Sequence, residues 1–325
     1  MRCSPTGTRS SSSFPCPGSR SFHFLLPRRS FRSRLSPVER SLPATLDARE
    51  LEELQSIVRA LAGLSLENAA RVTITRKAVE RAQAIGSRSF DHYLSVLRSS
   101  FDEQDRLLEA LTTKETYFFR QRYQFDAFEE EVIPELAAAS RGSGRLTVWS
   151  AGCSTGEEAY SIAYLLAKNP LLVNFKVHVV GTDLCESNVE HARRAIYRAS
   201  SFRATSPLEM PELFEPEGDG FRVSAPVRRL CSFRRVNLMR PDEVREVGRV
   251  DAIFCRNVFI YMDEETRARV TPLFYERLVP GGYLFLGHTE SLLNSDSPFE
   301  PVHLQKDLVY RRAPAAQLAA RRNAS

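Results

Sequence analysis

The sequence predicts an α/β protein: a doubly wound sheet preceded by a small all-helical N-terminal domain and interrupted by an inserted β subdomain. Three observations carry that prediction. From about Leu46 to Thr112 apolar residues recur at three- and four-residue steps, and beyond Phe118 short apolar runs alternate with amphipathic helical stretches. The third is Val148-Trp149-Ser150-Ala151-Gly152-Cys153-Ser154-Thr155-Gly156-Glu157-Glu158, an apolar run that ends in small residues and leads at once into a helix pattern. Such a junction places backbone N–H groups at a helix N-terminus and lets a ligand approach the main chain closely.

Composition bounds the answer. The chain has 325 residues, 42% hydrophobic and 26% charged, which suits a globular protein of roughly two domains. No apolar run approaches the roughly 20 residues that span a bilayer, so membrane insertion is not expected. The six cysteines are scattered without a C-x-x-C pair, which argues against a disulfide framework or a zinc site and for reduced thiols in a cytoplasmic protein. Much of the +5 formal charge sits in residues 1–44, rich in Ser, Arg and Pro, where Glu39 is the lone carboxylate. That composition predicts a disordered basic tail, or a start codon placed too far upstream.

The elements follow in order. Leu51, Leu54, Ile57, Val58 and Leu61 mark the apolar face of a first helix, with Asp47 and Glu50 spaced as a capping box. A second helix carries Arg71, Arg76, Lys77, Val79 and Arg81 and stops at Gly86. Phe90–Leu97 and Arg106–Leu111 read as two more. A helix over Tyr123–Ala139 precedes the break at Arg141-Gly142-Ser143-Gly144. Strands are then expected at Leu146–Ser150, Val177–Thr182, Phe233–Val236, Ala252–Cys255, Tyr283–Leu286 and Leu308–Arg311. Helices are expected at Glu157–Ala167, Ser187–Ala195 and Glu264–Leu278. The turn-rich stretch about 198–230 breaks the rhythm and reads as an inserted β lobe.

Several residues carry candidate chemistry. Asp183 closes the second strand, where a carboxylate accepts ribose hydroxyls in nucleotide-binding folds; the competing reading is an N-cap for the next helix. Glu157 and Glu158 open the first helix of the sheet domain, and either one suits the ammonium of an S-adenosylmethionine methionine moiety. Asn257 follows the strand Asp251–Cys255 into Arg256-Asn257-Val258-Phe259-Ile260-Tyr261 and offers both a donor and an acceptor. Val258 and Phe259 stand where amino-group methyltransferases carry two prolines, which excludes that group. Tyr261 reads as a substrate-facing hydroxyl or as a half-buried aromatic. Leu278-Val279-Pro280-Gly281-Gly282-Tyr283 reads as a tight helix-to-strand turn, and His288 as a packed residue.

Four stretches occur together and in order: Thr112-Thr113-Lys114-Glu115-Thr116-Tyr117-Phe118-Phe119-Arg120, the loop Ala151–Ser161, Phe254–Tyr261, and Gly287-His288-Thr289-Glu290-Ser291. Over about Leu46 to Arg312 the chain closely resembles the CheR family of chemoreceptor glutamate O-methyltransferases. The resemblance implies a Rossmann-like fold that binds S-adenosylmethionine. It implies cofactor contacts from Lys114, Thr116, Arg120, Glu157, Asp183, Asn237, Leu238, Asn257 and Val258. At Lys114 the family usually has Asn.

The implied organisation is a helical receptor-docking domain over 45–115, a methyltransferase domain over 116–314 and a flexible tail over 315–325. The implied reaction moves a methyl group to receptor glutamate carboxylates, with Arg120 and Tyr261 at the transfer end and Arg256 a further candidate. A glutamate is already ionised at neutral pH, so positioning matters more than acid–base groups. Arg71, Arg76, Lys77 and Arg81 are expected to meet the acidic face of a chemoreceptor cytoplasmic domain, with the enzyme a monomer. The helix lacks the interleaved aromatics of a nucleic-acid reader. Two other classes are a nicotinamide-dependent oxidoreductase and a receptor-binding module without activity.

Overall fold

The computed structural model describes residues 46–65, 70–112, 114–206, 208–315 and 317. The expectation of a disordered tail over 1–44, and nearly all of that for 315–325, falls outside the described residues.

The described chain opens with α1 Ala48–Ala62, α2 Ala70–Ala84, α3 Phe90–Ser99 and α4 Phe101–Leu111. Asp47 caps α1 through the expected box: its side chain accepts from the Glu50 N–H, and Glu50 accepts from the Asp47 N–H at 3.0 Å. Leu54, Val58, Ile74, Ala78, Tyr93, Leu94, Leu97 and Leu107 form a separate small core. Glu103 is buried beside it and is satisfied by Arg81 Nε and Nη2, at 3.0 and 2.6 Å, and by the Tyr93 hydroxyl at 3.1 Å.

The helix expected over Tyr123–Ala139 is two helices, α5 Arg122–Ala127 and α6 Ile133–Ala139, joined by a π turn at Phe128–Val132. Pro134 has no N–H for the preceding turn, and the widened turn lies directly ahead of it. Then β1 Arg145–Ala151, α7 Glu157–Lys168, β2 Lys176–Asp183 and α8 Glu186–Arg194 alternate. The β lobe follows, built from β3 Ile196–Tyr197, α9 Glu209–Leu213, β4 Phe214–Glu217, β5 Gly220–Val223 and α10 Ala225–Arg228. Its first strand lies just ahead of the span expected for the lobe. The chain returns through β6 Cys231–Arg235, α11 Pro241–Arg245, β7 Val250–Cys255, α12 Glu264–Arg277, β8 Leu278–Leu286, β9 Glu300–His303 and β10 Leu308–Arg311.

The seven-stranded sheet has the order β6-β2-β1-β7-β8-β10-β9, parallel from β6 to β8 and antiparallel at β10 and β9. Successive residues of β1 feed opposite layers: Leu146 and Val148 pack in one cluster, Trp149 and Ala151 in the other. Two departures from expectation have local causes. Strand β9 is a four-residue edge strand containing Pro301, too short and too polar to show an apolar run. The Pro280-Gly281-Gly282 stretch is no separate turn; β8 runs through it, and its pairing with β7 shifts register between Val250 and Ala252.

The strand order reverses between β1 and β7, so their carboxyl ends diverge. That switch point is where doubly wound sheets open a crevice. The Gly152–Glu158 loop and the Arg256–Tyr261 turn both emerge there.

Candidate active site

A cavity of about 370 Å³ lies at the switch point, roofed by the helical domain. Thr116, Arg120, Asp183 and Asn237 line it, as do Leu238, Asn257, Val258 and Tyr261. Arg256 is also in the wall. The structure therefore brings together most of the residues singled out in the sequence. Glu157 and Lys114 are the two that it turns elsewhere.

Glu157 is buried, and its carboxylate accepts from Thr155 Oγ1 at 2.6 Å and Ser201 Oγ at 3.0 Å, tying α7 to the segment that enters the β lobe. Its neighbour Glu158, about 100° further round the helix, faces the cavity instead. Lys114 is exposed and donates to Ser187 Oγ at 3.1 Å, at the start of α8. From there its charge reaches Asp183 only as one of several influences that draw that carboxyl down.

Asp183 does more than either role expected of it. Oδ1 accepts from the Cys185 N–H and Asn188 Nδ2, both at 3.0 Å, and Oδ2 accepts from the Ser154 N–H at 2.8 Å. A carboxylate has about four acceptor positions, which leaves one on Oδ2 for a ligand. Burial pushes the carboxyl above the usual aspartate range, against the pull of those three hydrogen bonds. The small-residue loop is likewise satisfied from within. The Gly152 and Cys153 N–H groups donate to the Thr182 carbonyl, each at 2.8 Å, and Gly156 donates to Cys153 at 3.0 Å. Gly152 is needed for closeness: with φ at 75°, a Cβ there would lie 2.5 Å from Val258 Cγ2.

Arg256 is the hub of the floor. Its Nε donates to Gln124 Oε1 at 2.6 Å, Nη1 to Glu158 Oε2 at 3.2 Å and Nη2 to Gln121 Oε1 at 2.9 Å and to the Arg120 carbonyl. Gln124 is held in turn, donating to the Leu286 carbonyl at 2.8 Å and to Asp307 Oδ2 at 2.7 Å. Glu158 also accepts from Ser150 Oγ at 2.7 Å; burial raises its carboxyl and the charge of Arg256 opposes the rise. Arg120 sits between two left-handed residues, Phe119 at φ 56° and Gln121 at φ 59°. For such side chains this conformation costs about 1–3 kcal/mol each and persists only where the surroundings impose it. Sequence reasoning had no signal for either φ. Nor did the sequence mark Gln124, which stands in the expected helix as an ordinary polar residue.

The donor set discriminates between ligands. Asp183 and Glu158 are two partly buried carboxylates in one wall, and the Gly152, Cys153, Ser154 and Gly156 N–H groups of the loop already donate within the protein. A dinucleotide would bring its phosphates against those carboxylates. A ligand carrying ammonium and sulfonium charges, a ribose and an adenine fits instead, its charges offsetting the burial cost of the acids. Val236, Leu238, Val258 and Met262 supply the apolar surface for a base. S-adenosylmethionine meets that description.

On the roof, Lys77 and Ile74 of α2 face the cavity. Asn237 Nδ2 donates to the Leu61 carbonyl at 2.6 Å, and the Ser65 N–H donates to the Tyr261 carbonyl at 2.7 Å, joining roof to floor. The four basic residues of α2 do not share a face. Arg71 and Arg76 point outward, the latter paired with Glu80 at 2.6 Å, while Arg81 is committed to Glu103. His288 contacts the Tyr123 hydroxyl at 3.2 Å and is not in the cavity wall.

Comparison with known proteins agrees with this geometry. Residues 114–308 match the family model described as CheR methyltransferase, SAM binding domain, and residues 49–112 match the CheR methyltransferase all-alpha domain. The chain is 33% identical over 252 residues to chemotaxis protein methyltransferase 2 of Vibrio cholerae, covering 76% of this chain and 87% of that protein. It is 32% identical over 250 residues to the chemotaxis protein methyltransferase of Borreliella burgdorferi, covering 75% and 88%. With the Salmonella typhimurium chemotaxis protein methyltransferase it shares 35% identity over 239 residues, covering 72% and 80%. The chain thus belongs to the CheR methyltransferase family, with S-adenosylmethionine as the cofactor that its cavity suits.

Proposed function

We propose that this protein methylates glutamate side-chain carboxylates of chemoreceptors, forming γ-methyl esters for adaptation in chemotaxis-type signalling. One observation carries the reading. The cavity is lined by two partly buried carboxylates, Asp183 and Glu158, and by the cations Lys77 and Arg120. The two cations suit an anionic acceptor. A carboxylate, with a reference pKa near 4.3, arrives ionised and needs only orientation.

S-adenosylmethionine, when bound, supplies a methyl group on a sulfonium that a carboxylate can displace directly. The residues that would hold it are Asp183 on the ribose, Glu158 near the cationic end, Asn257 and Asn237 on polar edges, and Leu238 and Val258 on the base. Thr116 completes that wall. Arg120 and Tyr261 orient the entering carboxylate at the transfer end. Too firm an Arg120 contact would weaken the nucleophile, and its Nη1 is already committed to the Glu115 carbonyl at 2.8 Å. Arg256 acts through others, fixing Glu158 and the Arg120 carbonyl.

Arg71 and Arg76 form the outward part of the docking face on α2, and Lys77 is the part nearest the chemistry. We place the enzyme in the cytoplasm as a monomer; among the described residues no helix is long and apolar enough to cross a membrane. The test is transfer of tritiated methyl from S-adenosylmethionine to a receptor cytoplasmic fragment. Base-labile release as methanol is expected; absence of transfer, or a base-stable product, overturns the reading.

A further inference from the structure

We infer that Glu290 is a positioning residue of the methyl-transfer site, holding the Asn257–Tyr261 turn in the shape that lines the cavity. The inference rests on the S-adenosylmethionine site described above and adds to it a residue outside the cavity wall.

Three backbone N–H groups converge on its carboxylate. Gly287 donates to Oε2 at 2.6 Å, Asn257 donates to Oε2 at 2.9 Å and Ile260 donates to Oε1 at 3.1 Å. The three donors come from the end of β8 and from both ends of the turn after β7. Strand β7 ends at the switch point with β8 beside it, and Glu290 bridges the two beyond their last paired residues, Cys255 and Leu286.

The turn needs such a clamp. Asn257 is left-handed at φ 59°, a conformation that asparagine tolerates better than most residues but does not choose unaided. The next residue, Val258, is the one packed against Gly152 of the cofactor loop. Tyr261 closes a 3₁₀ turn from Phe259 and gives its carbonyl to Ser65 of the roof. Rotating the Asn257 peptide would therefore move the Asn257 amide, withdraw Val258 from Gly152 and shift Tyr261 together. A carboxylate suits the task because it accepts on both oxygens and donates nothing.

Gly287 shows that the arrangement is built around close approach. A Cβ there would lie 2.6 Å from Glu290 Oε2, 2.8 Å from the Asn257 backbone nitrogen and 3.0 Å from Asn257 Nδ2. Two of those atoms are one of the hydrogen bonds just described. The Gly-His-Thr-Glu spacing is thus a backbone clamp: the glycine clears the space and the glutamate three residues on fills it.

The test uses the full-length protein and two readouts. In the first, amide exchange of the unliganded wild type is followed at Asn257, Ile260 and Gly287; slow exchange at all three is expected. Exchange at intrinsic rates overturns the proposal without any variant. In the second, Glu290→Gln and Gly287→Ala are compared with wild type for S-adenosylhomocysteine affinity by calorimetry and for binding of a receptor fragment. The glutamine can accept on only one atom and sets an NH₂ against an N–H. Affinity for S-adenosylhomocysteine should fall about tenfold or more, with receptor affinity unchanged and unfolding still cooperative. A folded Glu290→Gln protein within twofold of wild type overturns the proposal. Failure of the wild type itself to bind S-adenosylhomocysteine would count against the cofactor site, leaving the exchange result to judge the clamp.

Discussion

The floor and the roof of the cavity are built on different terms. On the floor, Arg256 makes four hydrogen bonds from full burial, Asp183 accepts three, and Glu158 accepts from both Arg256 and Ser150. The roof meets the floor through direct links of its own. They include Asn237 to Leu61, Ser65 to Tyr261, the Ser187 N–H to Glu109, and the ion pairs Arg59–Asp263, Arg235–Asp105 and Arg203–Glu115. The floor is preorganised, because its polar groups hold one another. The roof carries its own small core, and it reaches the cavity through Ile74 and Lys77.

The contrast can be broken hardest at Arg256. Replacing it with Met leaves Glu158 and Gln124 buried without their partner, and a loss of about 3–5 kcal/mol is expected in urea unfolding. An Arg76→Ala change on the roof should cost no more than about 0.5 kcal/mol, since its pair with Glu80 is exposed. Similar losses at both positions would erase the distinction.

Next comes Asp183. Its removal orphans three donors as well as the ligand contact, so Asp183→Ala should weaken S-adenosylhomocysteine binding about 100-fold by calorimetry. A pH signature accompanies it. Burial raises the Asp183 carboxyl, so the folded protein holds that proton more tightly than the unfolded chain does. Its contribution to stability is present below the unfolded value and is lost as pH rises through the raised one. Ligand binding runs the other way, strengthening as the carboxyl ionises. Asp183→Asn should flatten both slopes in urea midpoints and binding constants measured across the acid range.

Smaller effects sharpen the boundary. Tyr261→Phe should lower turnover about tenfold while leaving S-adenosylhomocysteine affinity within twofold; a matching loss of affinity would move Tyr261 to the cofactor side. The paired change Arg71→Glu with Arg76→Glu should weaken receptor-fragment binding a few-fold, with a shallower salt dependence and unaltered cofactor binding. Receptor affinity indifferent to both salt and charge reversal would remove α2 from the docking face.

The sheet was legible because its buried strands leave near-continuous apolar runs, and Asp183 and Asn257 because they stand just past two such runs. What stayed hidden depends on rotation and backbone shape. Glu157 and Glu158 are adjacent in sequence, and only the setting of α7 against the sheet decides which one faces the ligand. The basic residues of α2 looked like one patch because periodicity was read without Glu103, which captures Arg81 from another helix. The left-handed turn at Phe119 and Gln121 has no glycine to announce it. Glu290 was visible only as part of a motif, its partners being backbone atoms from distant strands.

The burial of Cys153 has a consequence for the selectivity of the enzyme toward its own atoms. This thiol is in the cavity wall, and burial, reinforced by the nearby Asp183, Glu158 and Glu157 charges, holds it well above the ordinary cysteine range. Thiolates are strong nucleophiles and thiols are poor ones. A site that hosts an alkylating agent thus keeps the thiol in its wall protonated. A protonated thiol is a poor acceptor for the methyl group, which protects the catalyst from alkylating itself there.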